Sequence, residues 1–152
     1  MCLVDYKKVS IRKPLKVYKC LAVDKRRDNS ELLISPYFPF WWVEGKEHSV
    51  LAKKPNIHEG WMNELGIYGN AFHSFKNKTD AAKEAESWAK ARLEPCYVVA
   101  EFEIPADTDF LYKGKFDTDR QTQCYATEKM KLVGVLGRVQ EKKGKYKLIW
   151  EK

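Results

Sequence analysis

The sequence has no continuous run of about 18 apolar residues, and its start lacks the pattern of a signal peptide. The first absence argues against a helix that crosses a membrane, and the second gives no indication of secretion. We therefore expect a cytoplasmic protein that does not engage a membrane. Low-complexity segments and internal repeats are also absent, so neither a repeat architecture nor a disordered linker is indicated.

The short motifs of nucleotide, hydrolase and zinc chemistry are missing as well. There is no P-loop, no GxGxxG turn after a strand, no GxSxG elbow and no HExxH helix. The four cysteines form no CxxC pair, so we expect reduced structural thiols, with a disulfide or metal ligation as the alternative. Four aspartates between residues 107 and 119 lack EF-hand spacing and are better explained as surface turns. We expect no metal and no cofactor.

One stretch, residues 79–104, organises the predicted fold. Acidic residues fall early and basic residues fall late in a helical pattern over residues 79–93, as the helix dipole favours. Thr79 fits the N-cap position, and Pro95 ends the helix. Alternating apolar residues then predict a strand over residues 96–104 with one buried face.

Further strands are expected around this helix and strand. Residues 44–60 are expected to form a long loop. The predicted fold class is α+β, a mostly antiparallel sheet with the helix of residues 79–93 packed on one face. At 152 residues, a single domain over residues 1–152 is the default. The other predicted elements are strands at 15–23, 31–35, 71–75 and 130–136 and a closing hairpin over 137–150 with its turn at 141–144.

The net charge of +7 is concentrated toward the two ends of the sequence. Residues 1–27 hold nine Lys or Arg and two acids, residues 129–152 hold eight and two, and the middle is acidic overall. If the two ends lie side by side, they form a basic surface that suits a polyanion. A solvated surface that keeps the protein soluble is the simpler explanation. The candidate polyanion-binding residues are Arg12, Lys13, Lys16, Arg26, Arg27, Lys142, Lys143 and Lys145.

Aromatic side chains are concentrated in residues 36–43, which hold two prolines and five aromatics. Prolines so placed argue against a helix or a central strand, so we expect an extended segment. The segment either packs on the core or lines a cleft as a stacking wall for a base, a ring or a peptide. It is also the candidate interface of an oligomer. On the cleft hypothesis the ligand-binding residues are Tyr37 and Trp41, with Tyr68 and Phe72 from the stretch that precedes the helix.

His73 is the histidine with a candidate catalytic role. His48 and His58 fall in the expected long loop. His73 instead lies on a short apolar strand just before a helix N-terminus, which favours anions. A hydrogen-bonded structural histidine is the alternative interpretation.

The order of elements around His73 resembles the ADP-ribosyltransferase-like fold. A glycine-rich segment and a short strand at residues 71–75 precede the helix, the strand at 96–104 follows it, and Glu128 begins a later strand. The resemblance implies that NAD is the cofactor and that residues 71–75 border it. It also implies that Glu128 is the catalytic acid that polarises the ribose.

Three segments resemble small uncharacterised proteins of bacteria and their phages: residues 33–37 (LISPY), 71–75 (AFHSF) and 126–131 (ATEKMK). That resemblance implies an accessory role. We therefore expect a non-enzymatic accessory or binding protein that engages a polyanion through its basic ends, with nucleic acid or another protein as the partner. The alternative is an ADP-ribosyltransferase-like nucleotide-binding enzyme with His73 and Glu128 in its site.

Overall fold

The computed structural model describes residues 2–36, 40–52, 61–63, 71–116, 119 and 121–151. Within these residues, twelve strands form one sheet and one helix packs against it, and no helix is long and apolar enough to cross a membrane. The strands are β1 (Cys2–Lys8), β2 (Leu15–Lys25), β3 (Glu31–Ile34), β4 (Trp41–Trp42), β5 (Glu47–Ser49), β6 (Trp61–Asn63), β7 (Phe72–Phe75), β8 (Tyr97–Ile104), β9 (Leu111–Phe116), β10 (Gln123–Thr127), β11 (Lys129–Lys142) and β12 (Lys145–Trp150); the helix is α1 (Lys78–Arg92).

The strands follow the order β12-β11-β8-β2-β7-β10-β9-β1-β6, and each ladder along this path is antiparallel. Three of the described strands lie off this path. β3 pairs with residues 22–25 at the end of β2, β4 pairs with β3, and β5 pairs with the start of β11. An isolated parallel bridge joins Glu44 to Leu132. β1 and β12 therefore lie toward opposite edges of the sheet.

The sheet dominates the structure, so the predicted α+β class with a main helix layer is wrong. Among the described residues, 57% lie in strands and 12% in the helix. A helix is about 10 Å wide with its side chains, whereas the nine strands of the ordered path span about 38 Å at the usual strand spacing. α1 can cover only a few strands of one face, and the remaining burial comes from the strands themselves.

α1 begins and ends within one residue of the predicted helix, but its first turn is capped differently. Asn77 is the N-cap residue in an extended conformation and makes no side-chain capping bond, so the prediction of Thr79 as N-cap is wrong. Leu93 adopts the left-handed conformation at the C-terminus, and its N–H donates to the carbonyl of Ala89. Small side chains let the helix lie close to β2 and β8. The buried side of the helix consists of Ala81, Ala82, Ala85 and Ala89.

Both faces of the central strands β2 and β8 are buried. On one face, Cys20 and Val99 pack beneath α1. On the other face, Leu21 and Phe102 pack with Trp42. Phe40 and Trp42, between β3 and β5, cover this second face. The first half of β8 is accordingly apolar on both sides, as expected of a strand in the interior.

The aromatic segment contributes alternately to the core and to the surface. Trp42 is buried, and its ring centroid lies 4.7 Å from that of Phe102 and 4.8 Å from that of Phe72. The indole Nε1 of Trp42 donates to the hydroxyl of Ser35 at 2.9 Å. Trp41, the preceding residue, is 54% exposed. Residues 37–39 lie outside the described part of the chain.

β2 changes partners along its length, and Lys19 lies where the change occurs. Tyr18 pairs with Phe75 of β7, and from Ala22 onward β2 pairs with β3. Between these two ladders the ammonium group of Lys19, which is buried, donates to the backbone carbonyl of His73. An unsatisfied buried acceptor costs about 1–3 kcal/mol. This bond therefore stabilises the fold at the point where β2 passes from one partner strand to the other.

Candidate polyanion-binding surface

The β11–β12 hairpin ends in a two-residue turn made of Lys143 and Gly144. Both residues have positive φ, 53° and 76°, which is the type I′ geometry that matches the twist of the flanking strands. Asn, Asp or Gly is favoured at the first position, because a left-handed backbone costs other residues about 1–2 kcal/mol. Lys143 bears this strain at an exposed position on the tip of the hairpin.

The hairpin has an inner face and an outer face. Val139 and Leu148 are buried beneath α1 and define the inner face. Because side chains alternate along a strand, their neighbours in sequence point to the outer face. The last two cross-strand pairs of the outer face are Lys142 opposite Lys145 and Gln140 opposite Lys147, and all four residues are exposed.

The final pair of the outer face, Lys142 and Lys145, brings two like charges directly opposite each other. Such an arrangement destabilises a hairpin. The acidic residue of this part of β11, Glu141, pairs with Tyr146 and so belongs to the inner face. An anion bound between the two ammonium groups would relieve their repulsion.

Arg138 lies further along the outer face, and two carboxylates neutralise its charge. Its Nη1 lies 2.8 Å from Oε2 of Glu31, and its Nε lies 2.8 Å from Oε1 of Glu151. Burial by itself would lower the pKa of Arg138, but the hydrogen bonds and charges of these carboxylates outweigh burial and raise it. The bridge to Glu31 also holds the start of β3 against β11.

The β2–β3 turn lies beside the hairpin because of this bridge. The turn precedes Glu31 and is closed by a hydrogen bond from the N–H of Arg26 to the carbonyl of Ser30 at 2.8 Å. Arg26 and Arg27 are exposed there. Hydrogen bonds from the side chain and N–H of Ser30 lower the pKa of Asp28, so the turn also keeps one negative charge. We name the cations at this end of the sheet the basic end: Arg26, Arg27, Lys142, Lys143, Lys145 and Lys147.

A groove of about 500 Å³ lies between the hairpin and α1. Lys83 and Lys90 border it from the helix, about 10 Å apart along the axis, and Lys145 borders it from the hairpin. Glu86 also lines the groove, but its Oε2 accepts the backbone N–H of Leu148 at 3.3 Å. This bond occupies a donor of the edge strand. The groove therefore adds two ammonium groups from α1 beside the basic end.

The remaining predicted basic residues, Arg12, Lys13 and Lys16, lie at the other end of β2. The strand rises about 33 Å between Leu15 and Lys25. The structure thus brings five of the eight predicted polyanion-binding residues together and leaves these three on a separate surface. Among the described residues, the two ends of the sequence therefore meet in part, through Arg26 and Arg27 beside the hairpin.

The two predicted catalytic residues lie in different surroundings. His73 is fully buried in β7, opposite Ala126 of β10. Glu128 is half-buried after the end of β10, where its N–H donates to the carbonyl of Phe110 and its carbonyl accepts from the N–H of Val50. Complete burial keeps the ring of His73 away from a dissolved ligand. The catalytic assignments gain no support from this geometry and stay predictions.

The predicted ligand-binding aromatics do not form a stacking wall within the described residues. Phe72 is buried, with its ring centroid 5.0 Å from that of Phe40. Trp41 is exposed on β4, whereas Tyr37 and Tyr68 lie outside the described residues. In the part of the chain that the structure describes, no group of three or more His, Cys, Asp or Glu side chains could hold a metal ion.

Gln140, Lys147, Lys83 and Lys90 were not among the predicted residues. The hairpin carried a usable signal, because side chains two apart on a strand share a face. The predicted turn at residues 141–144 begins one residue before the observed one, which changes each cross-strand partner by two positions and leaves the faces the same. Either turn places Gln140, Lys145 and Lys147 on one face of the hairpin.

Comparison with protein-family models, curated proteins and solved structures finds no match for this chain. The partner must therefore be inferred from the chemistry of the basic end. That surface offers exposed ammonium and guanidinium groups from two adjacent turns, together with the amide of Gln140.

Proposed function

We propose that this chain is a cytoplasmic, non-enzymatic binding protein that engages a polyanion through the basic end. The observation that carries the proposal is the last pair of the β11–β12 hairpin, in which Lys142 faces Lys145 on the outer face. Two opposed ammonium groups lower the stability of a hairpin, and phosphate groups bound between them offset that loss. The strained Lys143 adds a third ammonium group at the same tip.

Two neighbouring basic residues support the proposal, because, unlike the cations of the tip, they have partners within the protein. Arg138, two cross-strand pairs further along the same outer face, is held by Glu31 and Glu151. On the inner face, the ammonium of Lys78 lies 5.1 Å from the ring centroid of Trp150. The chain therefore neutralises or covers cations close to the hairpin body, while the cations of the tip project into solvent.

Binding of this kind depends on salt, because cations that contact phosphates release condensed counterions. If four of the six cations of the basic end contact phosphates, affinity should fall about 150-fold as salt rises from about 50 to about 200 mM. A shallower dependence would mean fewer phosphate contacts. The slope of log affinity against log salt therefore gives the number of cations that contact the phosphates of the partner.

The test is fluorescence anisotropy with a labelled nucleic acid of about 20 nucleotides, long enough for several phosphate contacts. We expect binding by the wild type at low salt and its loss at high salt. A triple variant with Lys142→Gln, Lys145→Gln and Lys147→Gln should lose most of the low-salt affinity, because it removes half of the basic end. Absence of binding by the wild type at low salt would overturn the proposal.

The opposite end of β2 offers a matched control. A triple variant with Arg12→Gln, Lys13→Gln and Lys16→Gln removes the same charge at exposed positions. These residues lie about 33 Å from the β2–β3 turn, more than two Debye lengths at about 50 mM salt, so affinity should stay within about twofold of the wild type. Equal weakening by both triple variants would show that net charge, and not the basic end, governs binding.

A further inference from the structure

We infer that the polyanion is double-stranded DNA and that the tip of the β11–β12 hairpin enters its major groove. This inference rests on the proposed function and names the partner of the same surface. Four features carry it: the dimensions of the hairpin, the side chains of its outer face, the cations on either side of it, and the position of its aromatic residues.

The hairpin has the shape that a major groove accepts. β8 begins at Tyr97, next to Val98, which pairs with Arg138. Residues 140–142 of β11 therefore continue past the start of β8, by about 10 Å. Two strands about 5 Å apart form a ribbon that fits a B-DNA major groove, which is about 12 Å wide. The major groove of duplex RNA is too narrow for side chains to read.

The outer face carries the groups that read base edges and hold phosphates. Gln140 is exposed, lies opposite Lys147 and is followed on the same face by the Lys142–Lys145 pair. A glutamine amide can form two hydrogen bonds with adenine in the major groove, and lysine can donate to guanine. Cations that flank such an amide contact the phosphates and fix its position.

Arg26 and Arg27 extend these contacts to one side of the hairpin, and Lys83 and Lys90 extend them to the other. The two arginines lie on the β2–β3 turn, which the bridge between Arg138 and Glu31 holds beside the outer face. The two lysines line the groove beside the inner face. A ribbon inserted between two DNA backbones would have cations on both sides of it.

The aromatic residues of the hairpin favour a duplex over a single strand. Proteins that hold single strands stack the bases on exposed aromatic rings. In this hairpin, Tyr146 and Trp150 share the inner face with the buried Leu148. The ring of Trp150 is 42% exposed there, and the ammonium of Lys78 lies 5.1 Å from its centroid. The outer positions of the described hairpin carry no aromatic side chain.

The experiment compares four probes at one low salt concentration: a DNA duplex, an RNA duplex and a single DNA strand of one sequence, and heparin. We expect the DNA duplex to bind at least about tenfold more tightly than the others, the discrimination that one good base contact provides. Equal or tighter binding of any other probe overturns the inference while leaving the proposed function intact. Failure of all four probes to bind overturns the proposed function itself.

Groove competition and a single-residue variant locate the contact. A dye that fills the major groove should displace the protein, whereas netropsin, which fills the minor groove, should not; the reverse result overturns the inference.

Gln140→Ala should reduce the sequence preference found by selection from a randomised duplex pool, with little change in the salt dependence. The matched control is Gln121→Ala, at an exposed position in the turn before β10. An unchanged preference in Gln140→Ala would overturn the role of the amide.

Discussion

At the scale of the residue, His48, predicted to lie in a loop, lies in β5 and packs against the aromatic rings that cover the second face of the sheet. Its ring centroid lies 5.4 Å from that of Phe40 and 5.3 Å from that of Trp42, and its Nε2 accepts the N–H of Val43 at 3.2 Å. Burial lowers the pKa of His48, and the charge of Lys46 lowers it further. The folded protein therefore favours the neutral imidazole.

We predict that acid weakens the fold through His48. In the unfolded chain His48 titrates near its ordinary pKa of about 6.5, whereas in the folded chain its pKa is lower. Between these two values the unfolded state binds more protons, so the free energy of unfolding falls as pH drops through this window. Urea unfolding at about pH 7.5 and about pH 5.5 should reveal a larger loss for the wild type than for His48→Gln. Equal losses in both proteins would contradict this prediction.

At the scale of the element, the like-charge pair makes the β11–β12 hairpin less stable than it could be. Lys145→Glu would face Lys142 with an opposite charge and should raise the free energy of unfolding by about 0.2–1 kcal/mol. The same substitution should weaken polyanion binding, because it removes one phosphate contact and adds repulsion. Urea unfolding and anisotropy measure the two effects.

The β1–β9 ladder supplies the control for this substitution. Lys7 faces Lys113 there, far from the hairpin. Lys113→Glu should raise stability by a similar amount and leave binding unchanged. If Lys145→Glu lowered both stability and affinity, the loss of binding would reflect a damaged hairpin.

Elements with a strong period of their own could be predicted from the sequence. The helix predicted at residues 79–93 is α1 (Lys78–Arg92), and the strand predicted at 96–104 is β8 (Tyr97–Ile104). β5 (Glu47–Ser49) falls inside the predicted loop, because three residues cannot display an alternation. That strand is defined by its hydrogen bonds to β11, a partner about eighty residues away in the sequence.

At the scale of the whole molecule, the proportions of strand and helix could not be predicted, because very short strands display no alternation in the sequence. Three of the described strands, β4, β5 and β6, have three residues or fewer, too short to show an alternation, and pairing alone makes them part of the sheet. The charge of the two sequence ends was visible, but its distribution was not. It depends on which end of β2 meets the C-terminal hairpin: Arg26 and Arg27 lie beside the hairpin, whereas Arg12, Lys13 and Lys16 lie at the opposite end of the strand.

The two cores should unfold together, because β2 and β8 carry one core on each face. Loss of either core removes support from the strands that hold the other. We predict one urea midpoint for helix content, measured by far-ultraviolet circular dichroism, and for tryptophan fluorescence, to which the buried Trp42 contributes. Trp88→Phe removes the tryptophan of α1 and sharpens the comparison. Two separate midpoints would show two folding units in place of the predicted single domain.

The pairing of β1 also has a consequence for synthesis. Leu3 pairs with Phe116 of β9, a residue added to the growing chain more than a hundred positions later. β6 becomes available earlier, but it contributes three residues. At ribosomal rates β1 waits about 6–23 s for its long partner. During translation the nascent chain therefore presents Leu3 and Val4, which are buried in the folded protein, on an incompletely paired strand, and this is a natural point of contact for chaperones.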